Sequence, residues 1–292
     1  MPEECRQIAF KEVLSEYVRG LSEKSPAVAR QFLARGESCR DDGFGIDPFG
    51  ELSGLSRLKG LKQRFPDRVL VMTTDKCFAN CRHCTRRGIL GRTPVVETKA
   101  DLDRCVEYVR SRKRVRDVLL SGGDVLTLPD EKVLEFVDAF ASLEQIDIVR
   151  VCTRALSTNP ARVTKRLAKA LSKSKKVWVN TQFNCADELT EEAVRAAGIL
   201  VDSGIPVSCQ SVLLKGVNDT PRKMLSLLKG LSAARIRPYY VFMCDPVAGI
   251  ERFRVGIEKA REIEKYCAEN IGGLSLPRFV SDIPSAKRKE PI

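Results

Sequence analysis

The sequence predicts an α/β fold, a partial (β/α)6 barrel with a helical extension at its amino end. Three observations carry that prediction. From Val69 onward, short runs rich in β-branched residues alternate with stretches of helical period. The last five of these runs begin about 30 residues apart, the length of one strand-and-helix unit. Polar residues that a buried strand avoids gather where the runs end, the side on which parallel α/β folds carry their chemistry.

Residues 1–66 read as the extension. Helical patterns at 6–20 and 26–35 are followed by DDGFGIDPFGELSGL, a loop punctuated by glycine and proline and carrying no chemical motif. This stretch is expected to pack on the barrel or on a partner subunit. The barrel spans 67–284. Its strands are read at 69–74, 115–121, 147–152, 177–182, 206–214 and 238–244, and its helices at 99–111, 129–141, 160–172, 190–203, 220–234 and 251–269. Helix starts are marked by Thr190 ahead of Glu191 and Glu192, and by Thr220 ahead of Pro221. Right-handed crossovers lay the strands parallel, and six units curl into part of a barrel. Residues 285–292 form a basic tail.

Composition narrows the function classes. The 292 residues are 43% hydrophobic and 30% charged, without low-complexity tracts, as in ordinary globular proteins. No window approaches the roughly 18–20 apolar residues of a membrane helix, and MPEECRQIAFKEVL has no signal-peptide pattern. No membrane partner and a cytoplasmic location are therefore expected. Eleven cysteines, an odd number without an export signal, do not read as a disulfide framework. Cys105, Cys152 and Cys209 read as small buried hydrophobes. Basic runs at 110–116 and 165–176 contribute to the net charge of +12. With few aromatics interleaved they read as solvated helix faces, and no nucleic-acid partner is expected.

The unusual residues fall at one mouth. The first barrel strand runs into DKCFANCRHCTRR, the second into Ser121-Gly122-Gly123-Asp124, the third into Thr153-Arg154 and the sixth into Asp245. The fourth ends at Gln182, and Gln210 lies within the fifth. Cys77-x3-Cys81-x2-Cys84 offers three thiolates from one loop, which suits a [4Fe–4S] cluster whose fourth iron keeps no protein ligand. That iron can chelate the amino and carboxyl groups of S-adenosylmethionine, and an electron from the cluster then yields a 5′-deoxyadenosyl radical. A zinc site using the same cysteines and His83, the single histidine, competes with this reading; zinc more often draws paired cysteine knuckles from two segments. Gly122 and Gly123 are expected to let the backbone grip the methionyl ammonium, with Asp124 and Arg154 as further cofactor-binding residues.

With these residues in place, the chain resembles the lysine 2,3-aminomutase family of radical S-adenosylmethionine (radical SAM) enzymes over roughly residues 62–292. The likeness runs through RFPDRVL (64–70), CRHCTRR (81–87), VRDVLLSGGD (115–124), QSVLLKGVND (210–219), RPYYVFMCD (237–245) and FVSDIPSAKRKEP (279–291). It implies a barrel of the radical SAM type. The family moves an α-amino group to the β-carbon, with pyridoxal 5′-phosphate carrying the nitrogen. The resemblance implies that Lys289 holds that cofactor and that Arg64, Arg68 and Gln210 surround its phosphate. It also implies that Arg86 pairs with the substrate carboxylate, while Asp245 and Asp282 receive the ε-ammonium of L-lysine or a similar cationic amino acid. Two acids in one mouth repel unless a cation lies between them, a requirement that glutamate would not meet. A reductase, flavodoxin or ferredoxin is implied as electron donor, and a homo-oligomer as the assembly.

The chain departs from the family pattern at four places. Ser285-Ala286-Lys287-Arg288 stands where the family has a glycine-rich stretch, Lys287 and Arg288 offering charge instead. The chain stops three residues past Lys289, which leaves that lysine on a fraying tail. Gln182 and Phe242 replace a histidine and a tyrosine. The carboxy-terminal zinc-binding segment is missing, with Thr220 in place of one of its cysteines, which implies a short form. The first three departures touch pyridoxal phosphate and none touches the cluster. The alternative is thus a radical SAM enzyme without pyridoxal phosphate, abstracting hydrogen from another cationic substrate or from a macromolecule such as an RNA or a protein lysine. A binding module without catalysis has no use for paired buried acids beside Arg86.

Overall fold

Among the described residues, nine strands form one sheet in strict chain order. The computed structural model describes residues 10–35, 44–52, 58–284 and 286–292. β1 (Leu61–Phe65) runs antiparallel to β2 (Arg68–Thr74). The sheet is then parallel through β3 (Asp117–Gly122), β4 (Ile148–Cys152), β5 (Val177–Thr181), β6 (Val207–Leu213), β7 (Arg237–Met243) and β8 (Arg278–Ser281). β9 (Glu290–Pro291) returns antiparallel on β8.

Two helices precede the sheet, α1 (Glu16–Lys24) and α2 (Pro26–Phe32). Besides a single helical turn at Ala155–Thr158, six more follow β2 to β7 in turn: α3 (Lys99–Arg110), α4 (Asp130–Ala141), α5 (Lys165–Leu171), α6 (Glu191–Asp202), α7 (Pro221–Ala233) and α8 (Ile257–Asn270). The six strand-and-helix units of the sequence reading are all present. Two of the helices begin later than expected. Pro160 opens a separate single turn before Thr164 caps α5, and Gly256 precedes α8. β8 adds a seventh parallel strand, while β1 and β9 come from stretches read as extension and tail. Part of the extension and part of the tail thereby enter the sheet.

Alternation along the strands leaves an open inner face. Val118, Leu120, Val149, Val151, Val177 and Val179 are buried in one core with the helices. Their neighbours Leu119, Arg150 and Trp178 point to the other side, and Trp178 is 37% exposed. A parallel sheet usually covers both faces; this one keeps space inside the curl.

The extension closes over the mouth. Of the helix expected at 6–20, residues 1–9 lie outside the described residues, and α1 starts where the Ser15 hydroxyl caps Val18 N. Ser25 caps α2 with Pro26 in its first turn. Val18, Val28 and Phe32 join Ala79, Val217, Val247 and Phe253 in a second core, so the extension packs on the barrel itself. Part of the basic surface is paired locally: Arg116 with Asp147, and Arg162 and Arg166 with Asp130. No helix of the described residues is long and apolar enough to cross a membrane.

Candidate active site

β2 ends at Thr74, and the chain turns into a loop bearing Cys77, Cys81 and Cys84, all half-buried free thiols. The extension clamps this loop. Asn80 N donates to Val13 O (2.9 Å), Arg82 N to Gln31 O (2.7 Å) and Arg82 Nη1 to Phe10 O (2.6 Å). β3 seats against it from the other side, with Gly123 N donating to Thr74 O and Asp124 N to Lys76 O, both at 2.7 Å. A Cβ on Gly122 would stand 2.2 Å from Thr74 O, and one on Gly123 2.1 Å from Lys76 O. The visible work of these glycines is therefore close seating of β3 on the thiol loop. Gly123→Ala is expected to cost about 1–3 kcal/mol through forced overpacking. It should also lower the iron bound per chain after reconstitution, as read by thermal unfolding and iron analysis.

Asp124, expected as a cofactor-binding residue, makes its contacts here within the protein. Its Oδ1 accepts from Leu126 N (3.0 Å) and Thr153 Oγ1 (2.6 Å), and its Oδ2 from Arg154 N (2.7 Å). Buried and fully engaged, it braces β3 to β4. Arg154 does reach the thiols: Nη1 lies 2.7 Å from Cys81 Sγ. Its Nη2 donates to Gln31 Oε1 (2.6 Å) and Glu188 Oε1 (2.7 Å), both residues fully buried, and Phe32 lies beneath the guanidinium. Among the described residues its buried Nε has no acceptor. Gln31 and Glu188 escaped the sequence reading, since neither belongs to a motif.

His83 contacts two side-chain amides and, among the described residues, forms no metal-ligating set with the thiols that the zinc reading requires. Its Nε2 lies 3.3 Å from Gln182 Nε2 and 3.2 Å from Asn184 Nδ2. Amide nitrogens donate, so Nε2 accepts and the proton sits on Nδ1, which is buried and unpartnered. Burial, then the charge of Arg154, holds the ring neutral. Burial followed by repulsion from Cys81 pushes the Cys84 thiol up to about 11, and Cys77 is raised further by burial, Cys84 and Cys81. Among the described residues, no three His, Cys, Asp or Glu side chains already stand in metal-ligating geometry. The donor set nonetheless fits an iron–sulfur cluster with its cofactor. Three crowded thiols need cationic iron to ionise together, and Arg154 already sets a cation against one of the sulfurs.

Thr85, next to Cys84, leads to a second group. Its Oγ1 donates to Asp245 Oδ2 at 2.6 Å. Burial, and then Asp282, push the Asp245 carboxyl up to about 6, while Thr85, Lys289 and Arg64 pull it down. Asp282, just past β8, accepts from Arg64 Nη1 (2.7 Å) and is in contact with the Lys289 ammonium. Lys289 Nζ lies 5.4 Å from the ring of Phe65 and 5.4 Å from that of Phe242, and burial lowers its pKa. The fraying expected of the tail does not occur, because Ser281 pairs with Glu290 and Val280 with Pro291 in the sheet.

The remaining expected residues are more dispersed. Arg68 stands at the amino end of β2, 4.2 Å over the Phe65 ring. Gln210 is half-buried in β6, in register with Tyr240 of β7. Arg288 turns outward to Glu290, and Ser285 lies outside the described residues. Arg86 already holds a carboxylate: Nε lies 2.5 Å from Glu51 Oε2 and Nη2 2.7 Å from Glu51 Oε1. Glu51 sits in the loop that the sequence reading left without a motif.

The barrel and its thiol loop define a class, and the profile of the Radical SAM superfamily matches residues 71–228. L-lysine 2,3-aminomutase of Acetoanaerobium sticklandii is 42% identical over 84% of this chain and 59% of its own length. Glutamate 2,3-aminomutase of Clostridioides difficile is 32% identical over 86% of this chain and 60% of its own length. A Treponema pallidum protein named, provisionally, as L-lysine 2,3-aminomutase is 34% identical over 84% of this chain and 69% of its own length. Among solved structures, Streptococcus suis SuiB bound to precursor peptide SuiA matches with a TM-score of 0.57 at 16% identity, over 75% of this chain and 49% of that one, a likeness of fold alone. The chain belongs to the lysine 2,3-aminomutase family of the radical SAM superfamily. It spans 59% and 60% of the first two relatives named here. A radical SAM protein uses a [4Fe–4S] cluster and S-adenosylmethionine, and Cys77, Cys81, Cys84 and Arg154 are the residues here that would hold them.

Proposed function

We propose that this chain moves the α-amino group of L-lysine, or of a similar cationic amino acid, to the β-carbon, with pyridoxal 5′-phosphate held by Lys289. The observation that carries this reading is the group Arg64, Asp245, Asp282 and Lys289, joined to the thiol loop through Thr85. Paired acids at a barrel mouth attract an ammonium, whereas a side-chain carboxylate there would be repelled, which favours lysine over glutamate. The amine of Lys289, its pKa lowered by burial, is the better nucleophile toward an aldehyde near neutral pH. Arg64 and Arg68 offer cations to a phosphate, and Phe65 and Phe242 offer apolar walls. When bound, pyridoxal phosphate supplies the conjugated system that carries nitrogen between the two carbons. Asp245 and Asp282 fix the far end of the substrate and Arg86 its carboxylate.

The test is borohydride trapping of anaerobically reconstituted protein with pyridoxal phosphate, followed by peptide mapping and an L-lysine turnover assay. The expected result is a reduced pyridoxyl adduct on Lys289 and formation of β-lysine. An intact cluster that cleaves S-adenosylmethionine, without an adduct, would sink the aminomutase reading. Radical chemistry on another cationic or macromolecular substrate would then stand in its place.

A further inference from the structure

Arg86 presents a problem of donors and acceptors. A guanidinium carries five N–H groups on a rigid fork, and two-point pairing with a carboxylate uses one edge of it. Glu51 occupies the edge formed by Nε and Nη2, at 2.5 and 2.7 Å. The outer edge, formed by Nη1 and the second N–H of Nη2, has one long contact, Nη1 to Gly122 O at 3.4 Å. Both side chains are largely buried, at 22% and 12% exposure, so neither is a casual surface partner.

The loop that brings Glu51 is itself anchored. Both Asp47 carboxylate oxygens hold it, Oδ1 accepting from Glu51 N (2.9 Å) and Oδ2 from Leu52 N (2.7 Å). Ala248 N, beyond β7, donates to Gly45 O (3.2 Å). Ile46 fills the space beside Gly88, where a Cβ would stand 2.6 Å from it. Phe49 lies under the Arg64 guanidinium, 4.9 Å from ring centre to charge. This loop touches the thiol loop's continuation, the segment after β7, and β1.

We infer that Glu51 is a positioning residue: it holds Arg86 by its inner edge so that the outer edge faces the carboxylate of an amino-acid substrate. The inference rests on the proposed reaction and adds the residue that sets its carboxylate specificity. A guanidinium released from Glu51 keeps its charge but loses its fixed direction, so attraction survives and two-point recognition does not.

L-lysine and L-lysinamide, which lacks the carboxylate, separate these effects. Dissociation constants would be measured by calorimetry on the reconstituted holoenzyme, with KM and kcat for L-lysine alongside. Glu51→Gln is expected to weaken L-lysine binding and raise its KM by about tenfold or more, as for loss of a charge-assisted contact. The kcat changes far less, and L-lysinamide binding stays within about twofold, since it never used the outer edge. Glu51→Asp restores part of the discrimination. Iron content and melting temperature, measured on each variant, separate this pattern from loss of the fold. Equal L-lysine affinity in wild type and Glu51→Gln would overturn the inference. Tighter L-lysine binding in Glu51→Gln would overturn it too, by making Glu51 a competitor for the fork. A wild-type holoenzyme that binds neither compound would overturn the proposed reaction along with it.

Discussion

Asp282→Asn is expected to raise the KM for L-lysine about 100-fold, some 2.8 kcal/mol at 1.4 kcal/mol per tenfold. The carboxylate sits between Arg64 and Lys289 and is one of the two acids offered to the substrate ammonium. Its removal leaves the Arg64 cation without its carboxylate in the place offered to the ammonium, so one attraction is lost and a repulsion remains. Asp245→Asn is the milder companion, because an asparagine oxygen still accepts from Thr85. It also gives a pH signature. Burial pushes the Asp245 carboxyl up to about 6; its charged form attracts an ammonium, and the lysine ammonium keeps its proton to about pH 10. Affinity therefore rises with pH through about 6 and levels above it, and a bound cation moves the inflection lower. In Asp245→Asn the inflection disappears. KM measured from about pH 5 to pH 8 checks this, and an unchanged profile would remove Asp245 from the ammonium site.

The second large effect is expected at Arg154. Its guanidinium rests on Cys81 Sγ, and charges and hydrogen bonds at ligand sulfurs set the potential of an iron–sulfur cluster. Arg154→Gln removes a positive charge beside the oxidised and reduced forms alike, but favours the reduced, more negative form less. The midpoint is expected to fall by about 60 mV or more, tenfold in a one-electron equilibrium. The same change leaves Glu188 buried without its cation, a cost of about 3–5 kcal/mol. The double variant Arg154→Gln, Glu188→Gln removes that cost while keeping the shift. A redox titration followed by electron paramagnetic resonance compares the three proteins. A midpoint that stays put in the double variant would reduce Arg154 to a packing role.

The sequence made the strands β2 to β7 legible because each is a β-branched run set off by an amphipathic helix. β8 and β9 are four and two residues long, too short to show a period. β9 exists because the tail folds back on β8, a pairing no local pattern encodes. The cysteines were legible because their ligands lie within one turn-rich loop. The bracing role of Asp124 was not legible, because an acid after a Gly-Gly turn looks alike whether it braces a neighbouring strand or faces a ligand. The partners of Arg86 and Arg154 were invisible for another reason. Glu51 lies 35 positions from Arg86, and Gln31 lies 123 positions from Arg154, so only the closing of the extension over the barrel brings them together.

The contact between Lys289 and Asp282 fixes an order of arrival. Lys289 Nζ cannot rest against a carboxylate and bond to a cofactor carbon at once. Until it leaves, Asp282 already has its ammonium, and an incoming amino acid meets an occupied seat. On the proposed reaction, pyridoxal phosphate is therefore expected to load before the amino acid, and L-lysine to bind weakly to cofactor-free protein. On that reading, the chain keeps one of its own lysines where the ammonium of the substrate would sit.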